Sequence, residues 1–466
     1  MKHIERPPVQ AALRDPTRSG DMVPGTDGKG RANVSDVPVE RIVTLDILRG
    51  AAITGMVFLH NGAFHFAGLE TALKSPPPWL VAFGFLLLWA GLFGVVSGAA
   101  HATTTLRRLE RERARAQTPW RYPRSLLAGA FQTFAVLFAM HWLWTLVVAN
   151  SAVTPDPNDP TLRVTLVPGW MYYGTFPRIH PENYVFASAL WMIGANVLLV
   201  ALTFRWLYRR DPPREGDGLT HSLLLLAALV LLATPVLRAL LFEPTMALVG
   251  RGGVAILAAI PLALLVNDPN PVFPFFAYGL LGAIAGAAVV RGQLRRPLYR
   301  LLGGAGLVLV VLGGSGLLGL GGVVVAGRES IWGQSPLYFT ALGYFLLGLF
   351  AWLLAGLLAA FDPPAGSGRA PWRPRWLRPI LRFGRVSLTV FMLEGIVAMA
   401  LRIGLDALIP GWNRSLSAVI VFALGNVFLW HGVLVAWERL DYRGSLEWWL
   451  ARLRTSEERA RALRTS

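Results

Sequence analysis

The sequence contains no cysteine, and charged side chains are scarce in it. Without cysteine, the 466 residues cannot form disulfide bonds, thiolate nucleophiles or zinc–thiolate sites. Only 15% of the residues are Asp, Glu, Lys or Arg, whereas soluble domains carry about 25%. The charge that is present is one-sided, with 44 basic against 27 acidic residues. This composition disfavours a water-soluble domain. The excess of basic residues has to be explained by where those residues lie along the chain.

Long apolar runs take the place of the missing charge. Hydrophobic residues make up 54% of the chain, and its mean hydropathy is +0.48. Residues 303–326, for example, contain one polar side chain, Ser315. A helix of about 20 apolar residues crosses a hydrocarbon core of about 30 Å. Because such runs recur along the chain, the sequence predicts an all-α integral membrane protein with its transmembrane helices in one bundle.

Eleven windows are apolar enough to be candidate spans: 43–64, 78–100, 125–149, 184–206, 220–242, 252–266, 271–290, 301–326, 336–360, 383–404 and 416–437. The distribution of Lys and Arg provides a charge test of the number of spans, because cytoplasmic loops are enriched in these residues. Six segments hold 35 of the 44 basic residues: 1–41, 101–124, 205–214, 291–300, 369–385 and 438–466. All six fall on one side only if one window between residues 243 and 290 does not span.

The window 252–266 is the one that we expect not to span. It is the shortest of the eleven, and Pro261 lies in its middle. Short apolar segments of this kind form re-entrant or interfacial helices. The sequence thus predicts about ten transmembrane helices, with both termini in the cytoplasm, in a plasma membrane such as the bacterial inner membrane. Because the arginines are divided among short segments between the spans, the pattern also argues against nucleic-acid binding.

The chain divides into three predicted regions. Residues 1–40 are polar and rich in Pro, Gly and charge, which predicts a disordered cytoplasmic tail without a cleavable signal peptide. Residues 41–437 form the predicted membrane domain. Residues 438–466 form a basic tail that we expect in the cytoplasm.

Ionisable side chains within the spans are the candidate functional residues, because each costs about 2.5–3.5 kcal/mol at the centre of a membrane helix. The first span carries Asp46, Arg49 and His60. Arg49 and His60 are almost three helical turns apart, so they share one face at a separation of about 16 Å. Asp46 lies one turn before Arg49 and is expected to pair with it. The alternative is a boundary salt bridge and a histidine that only joins two helices.

Two more ionisable residues lie at depth. His141, in the third span, is expected near the level of His60, and Glu394 lies near mid-membrane in the span that is predicted to start at Phe383. A buried glutamate must be neutral, paired or beside water, and a histidine partner would satisfy it. The alternative for His141 is a structural position among interfacial tryptophans. We expect no metal ion.

The first span resembles membrane acyltransferases. The run Leu45-Asp46-Ile47-Leu48-Arg49-Gly50 followed by His60 resembles the acyltransferase-3 family, in which this Arg and His are associated with activity. The same opening resembles the heparan-α-glucosaminide N-acetyltransferase family and the YeiB-like membrane proteins. YeiB-like features also occur at residues 384–394 and 444–448. Those two families usually have Asn at the position of His60, and this chain has Asn61 beside it, so the choice of catalytic histidine stays open.

The resemblance implies transfer of an acyl group such as acetyl from cytoplasmic acyl-CoA to an extracytoplasmic acceptor such as a cell-envelope glycan. His60 would be the general base or the acyl carrier, and His141 or Glu394 would orient it. The donor would be held by Asp46 with Arg49 and by basic residues suited to phosphate: Arg107, Arg108, Arg124 and Arg385. The alternatives are a secondary transporter with a buried His/Glu proton relay and a non-enzymatic membrane protein.

Overall fold

The structure is a computed structural model, which describes residues 42–67, 90–115, 122–149, 165–210, 218–267, 269–293, 296–317, 336–363 and 374–452. Within these ranges the chain is helical and forms no strand, apart from one isolated bridge between Ala187 and Pro269. The predicted N-terminal tail and most of the C-terminal tail lie outside the described residues.

The described helices fall into long and short ones. The long ones are α1 (Val43–His65), α2 (Ala90–Arg115), α3 (Arg124–Leu143), α5 (Ala189–Arg210), α6 (Gly218–Arg251), α8 (Val272–Val290), α9 (Arg296–Leu317), α10 (Pro336–Phe361), α12 (Ser387–Leu408) and α13 (Leu416–Glu438). The short ones are α4 (Leu166–Tyr173), α7 (Ala255–Val266) and α11 (Arg378–Arg385), with a last helix described over residues 446–452.

The chain is a multi-pass membrane protein. In the described ranges, nine helices are long and apolar enough to cross a bilayer, and they match nine of the ten predicted spans. The tenth window, 78–100, lies partly outside the described residues. The window 252–266 forms only α7, a helix of 12 residues with Pro261 inside it. Such a helix rises about 18 Å, which is too short to cross.

Two helices differ in extent from the apolar windows. The window that was predicted to start at Phe383 is broken at Val386, whose backbone is not helical, so Phe383 belongs to α11 and the long helix α12 begins at Ser387. Helix α6 runs on to Arg251, past Pro235 and Pro244. A membrane helix tolerates such prolines because neighbouring groups satisfy the freed backbone carbonyls.

Contacts between helix ends show which ends share a face of the bundle. Val43 N, at the start of α1, donates to Asp362 Oδ1 beyond the end of α10 (3.1 Å). Arg291, after α8, donates to the Tyr208 hydroxyl of α5 (3.3 Å). Both contacts join segments that the charge test placed on the same side. Eleven spans would put the two members of each pair on opposite sides, so these contacts are incompatible with that alternative.

Helix α1 lies against α2, α11, α12 and α13. Two of these helices are capped by carboxylates from distant parts of the chain. Asp362 accepts from the backbone N–H of Val43 and of Thr44 at the start of α1. Glu447 accepts from the backbone N–H groups of Leu388 (2.6 Å) and Thr389 (3.3 Å) at the start of α12. Unpaired N–H groups and the helix dipole both favour a carboxylate there.

We expect Glu447→Ala to lower the free energy of unfolding by about 1–2 kcal/mol, because the first turn of α12 loses its cap. Unfolding by SDS titration in mixed micelles measures the loss. Asp441→Asn is the matched control, since Asp441 is an exposed acid in the same C-terminal segment. Equal stability of the Glu447 and Asp441 variants would contradict a capping role.

The ten-span arrangement also predicts the location of α7. A reporter inserted after Asn267 should lie on the opposite side of the membrane from one fused at the N-terminus, because five predicted spans separate the two positions if α7 stays at the surface and six if α7 crosses. An alkaline phosphatase and a green fluorescent protein fusion at each position measure this. The same side for both positions would show that α7 crosses the bilayer.

Candidate functional site

The first turns of α1 pack against α11 with their backbones in contact. A Cβ atom at Gly50 would collide with the backbone carbonyl oxygen of Ile380, and one at Gly384 would lie 2.6 Å from the carbonyl oxygen of Asp46. Small residues let two helix backbones approach this closely in a membrane. Beyond the break at Val386, helix α12 runs beside α1 in the same direction, since Glu394 contacts His60 and Arg402 then contacts His65.

Asp46 and Arg49 form the predicted pair at this end. Their side-chain atoms Oδ1 and Nη1 are 3.8 Å apart, and 31% of the Arg49 side chain is exposed. Ile53 and Met56, which follow on the face toward His60, are buried. By contrast, no described atom lies within 4 Å of a Cβ built at Gly55, on another side of the helix. The stripe between Arg49 and His60 is thus packed, and open space lies beside Gly55.

His60 and Glu394 meet in the bundle. His60 Nδ1 lies 2.6 Å from Glu394 Oε1, and the Glu394 side chain is fully buried while 18% of the His60 side chain is exposed. A buried carboxylate needs such a partner, since an isolated charge in a low-dielectric interior is strongly destabilised. The two residues come from α1 and α12, 334 positions apart in sequence. The structure therefore identifies His60 as the histidine that satisfies Glu394.

Asn61 completes the hydrogen bonding of Glu394. Its Nδ2 donates to Glu394 Oε2 (3.4 Å) and to the carbonyl oxygen of Val57 (2.6 Å). In its ionised form Glu394 can only accept, and it then takes one hydrogen bond from Asn61 Nδ2 and one from Nδ1–H of His60. This assignment leaves the lone pair of His60 on Nε2, which makes no hydrogen bond to any described residue. The arrangement has the base-and-orienting-acid geometry of a catalytic dyad.

Aromatic rings form the wall around His60. The ring centroid of Trp144 lies 6.3 Å from that of His60 and 5.1 Å from that of Phe391 on α12. Phe64 lies 5.0 Å from His60 on the other side. Trp144 begins a π-helical turn, Trp144–Val148, that ends α3. Such turns occur frequently at functional sites, and here the turn carries an aromatic ring that lies beside His60.

His141 does not join this dyad. Its Nδ1 lies 2.8 Å from the hydroxyl oxygen of Ser188, just before α5, and both side chains are buried. Its ring stacks on Phe138 of its own helix. His141 therefore links α3 to the start of α5, and Glu394 is the residue that orients His60.

The predicted phosphate-binding arginines occupy two places. Arg108 donates to the Ser125 hydroxyl (3.2 Å), so Arg107, Arg108 and Arg124 lie where α2 ends and α3 begins. Arg385, on α11, is exposed and ion-paired with Glu438 (3.4 Å), and its guanidinium lies 6.0 Å from the Tyr442 ring. Of these four arginines, Arg385 alone lies on α11, the helix that packs against Asp46.

A second polar cluster lies at the opposite end of the same helices. Arg402 Nη1 donates to His65 Nδ1 (3.4 Å) and its Nε donates to Asp406 Oδ2 (3.3 Å). Trp412 Nε1 donates to Asp406 Oδ1 (2.8 Å), and the Tyr172 ring of α4 lies 5.0 Å from the guanidinium. The cluster ties α1, α12, α4 and the turn before α13 together two turns from Glu394.

The sequence interpretation missed this cluster and Arg238, a fully buried arginine in α6. The signal was present, because all three charged residues follow apolar stretches: Arg238, Arg402 and Asp406. The i,i+4 spacing of Arg402 and Asp406 could have indicated the pair.

No family model matches the chain, and no curated protein does. The site therefore stands on its geometry. In the ranges that the structure describes, no group of three or more His, Asp or Glu side chains is arranged to hold a metal ion.

A double-mutant cycle tests the pairing of His60 with Glu394. We expect His60→Ala and Glu394→Gln to be non-additive in the free energy of unfolding by about 0.5–3 kcal/mol, because each variant removes the other residue's partner. SDS titration of the two single variants and the double variant measures the coupling.

The matched control is the same cycle with His141, a buried histidine outside the dyad, in place of His60. His141→Ala and Glu394→Gln should be additive within about 0.5 kcal/mol, since His141 bonds to Ser188 instead. Coupling in the His141 cycle and none in the His60 cycle would contradict the structure of the site.

Proposed function

We propose that the protein is a membrane-embedded acyltransferase, which moves an acyl group such as acetyl from cytoplasmic acyl-CoA to an acceptor on the other side. The observation that supports it is the contact of 2.6 Å between His60 Nδ1 and the buried Glu394 carboxyl group. A histidine that is oriented by a carboxylate and keeps a free Nε2 lone pair is suited to proton transfer in acyl transfer.

In the proposed reaction, His60 Nε2 takes the proton from an acceptor hydroxyl or amine. The acceptor atom attacks the thioester carbonyl, a new bond to the acyl carbon forms, and the carbon–sulfur bond breaks. The imidazolium of His60 then returns its proton to the departing thiolate, which leaves as the CoA thiol. Glu394 stabilises the imidazolium in between, because an opposite charge at hydrogen-bonding distance favours the charged ring.

A covalent variant uses the same residues. His60 Nε2 attacks the thioester carbonyl, the carbon–sulfur bond breaks, and CoA leaves as the thiolate while the acyl-imidazolium keeps its Nδ1–H on Glu394. The acceptor hydroxyl or amine then attacks the acyl carbon, the bond from that carbon to Nε2 breaks, and the acceptor's proton goes to the thiolate. In both variants Trp144 and Phe64 exclude water from the ring, which protects the thioester or the acyl-imidazole from hydrolysis.

The donor would enter from the face that carries Asp46 and Arg49. The arginine-rich segments on this face support a cytoplasmic orientation by the positive-inside rule. Guanidinium groups suit the phosphates of CoA, and the exposed part of Arg49 offers one at the membrane boundary.

The acceptor would arrive from the opposite face. The aromatic residues near α4 include the exposed Trp170 and Phe176, whose rings stack on one another at 6.2 Å. Aromatic faces bind the apolar faces of sugars, so a cell-envelope glycan is the acceptor class that we propose. The plasma membrane is the location that follows from this chemistry.

A secondary transporter is the second candidate, and the same contact favours it. A buried His–Glu pair can also relay protons through a membrane bundle. The two functions differ in what they do to acyl-CoA, since a proton-coupled transporter has no need to cleave it.

Radiolabelled acetyl-CoA, incubated with purified protein in liposomes that hold crude cell-envelope glycan, separates the candidates. We expect label to move to glycan or protein, and His60→Ala to reduce the transfer by about 10²–10⁴-fold, the range typical for loss of a general base. Scintillation counting of the glycan and protein fractions measures it.

His141→Ala is the matched control, as a second buried histidine without the carboxylate partner. It should retain transfer once its expression and folding are matched by gel filtration. Full activity of His60→Ala with loss in His141→Ala would overturn the assignment of the base. Absence of CoA binding together with proton-coupled flux would overturn the enzyme in favour of the transporter.

A further inference from the structure

The face of the bundle that carries α11 has a second basic feature, formed by residues 375–385 and 438–452 and called the basic rim below. The two segments are joined by Arg382 Nε, which lies 2.8 Å from Glu438 Oε2, and by Arg385, which pairs with the same carboxylate. Glu447 joins them again through the start of α12. The basic rim is therefore a folded surface and not a flexible tail over its described length.

Charge on the basic rim is strongly unbalanced. Glu438 is already shared by Arg382 and Arg385. The remaining exposed charges are one acid, Asp441, against five bases: Arg375, Arg378, Arg439, Arg443 and Arg452. Such a surface attracts anions, and guanidinium groups bind phosphate with paired hydrogen bonds.

Exposed apolar side chains stand among these arginines. Trp376 is 59% exposed, Leu440 64% and Trp449 53%. Tryptophan beside arginine is the composition of a membrane–water interface, where the ring lies at the level of the lipid headgroups. A soluble phosphate ligand offers nothing for these apolar surfaces, whereas a phospholipid offers both a phosphate and an acyl boundary.

We propose that the basic rim binds the headgroups of anionic phospholipids. Arg378 on α11 and Arg443 on the C-terminal segment would contact the lipid phosphates, and Trp376 and Leu440 would lie at the acyl boundary. The surface borders the Asp46–Gly50 turn through α11, so bound lipid would hold α11 against α1. This inference does not depend on the proposed acyl transfer.

Native mass spectrometry of the full-length protein tests the proposal, with phosphatidylglycerol and phosphatidylcholine added at equal concentration. We expect bound phosphatidylglycerol to dominate. Arg378→Gln combined with Arg443→Gln should weaken phosphatidylglycerol binding at least fivefold, because a membrane-proximal arginine contributes about a fivefold change in affinity for anionic lipid. Raising the salt concentration should weaken it further.

The matched control is Arg251→Gln combined with Arg414→Gln, two exposed arginines away from the basic rim. It should change phosphatidylglycerol binding less than twofold. An equal loss in both double variants, or equal binding of the two lipids by the wild type, would overturn the proposal. Displacement of phosphatidylglycerol by inorganic phosphate or by CoA at matched phosphate concentration would assign the basic rim to soluble phosphates and would overturn it as well.

Discussion

The close packing of α1 against the α11–α12 segment is the constraint on which the rest of the site depends. Gly50 and Gly384 let the backbones of α1 and α11 touch, and beyond that contact α12 runs in the same direction as α1. Ten residues later on each chain stand His60 and Glu394, at hydrogen-bonding distance. A larger side chain at either glycine would separate the helices. The buried carboxyl group of Glu394 would then lose its partner His60, which is strongly unfavourable in a bilayer.

The same pair of helices is fixed at both ends by polar contacts. Asp362 and Glu447 cap the two N-termini, and the Arg402 cluster joins α1 to α12 at the far end. These contacts hold the two helices that carry His60 and Glu394 in a fixed relative position. Rigid support matters for chemistry, because a base that is misplaced by about 1 Å loses much of its effect.

Membrane physics let the sequence predict the spans, the short α7 and the ionisable residues at depth. The length of each apolar run and the positions of the arginines can be read from one segment at a time. His60 and Glu394 were therefore each predicted as a buried ionisable residue, but separately. Their pairing was not predictable, because it depends on the break at Val386 and on packing between residues 334 positions apart. His141 was predicted at a depth similar to that of His60, and only the three-dimensional packing places Ser188 beside His141 and Glu394 beside His60. Arg402 was missed because a charge near a helix end resembles an ordinary boundary residue.

The central claim is that Glu394 makes His60 the reactive imidazole by holding a proton on Nδ1 and leaving Nε2 as a nucleophile. Carbethoxylation by diethylpyrocarbonate, followed by peptide mass spectrometry, measures this for His60 and His141 in one sample. The account predicts faster modification of His60, and a slower rate in Glu394→Gln, whose amide can donate to Nδ1 and move the ring proton to Nε2. Equal rates for the two histidines, or an unchanged rate in Glu394→Gln, would contradict it.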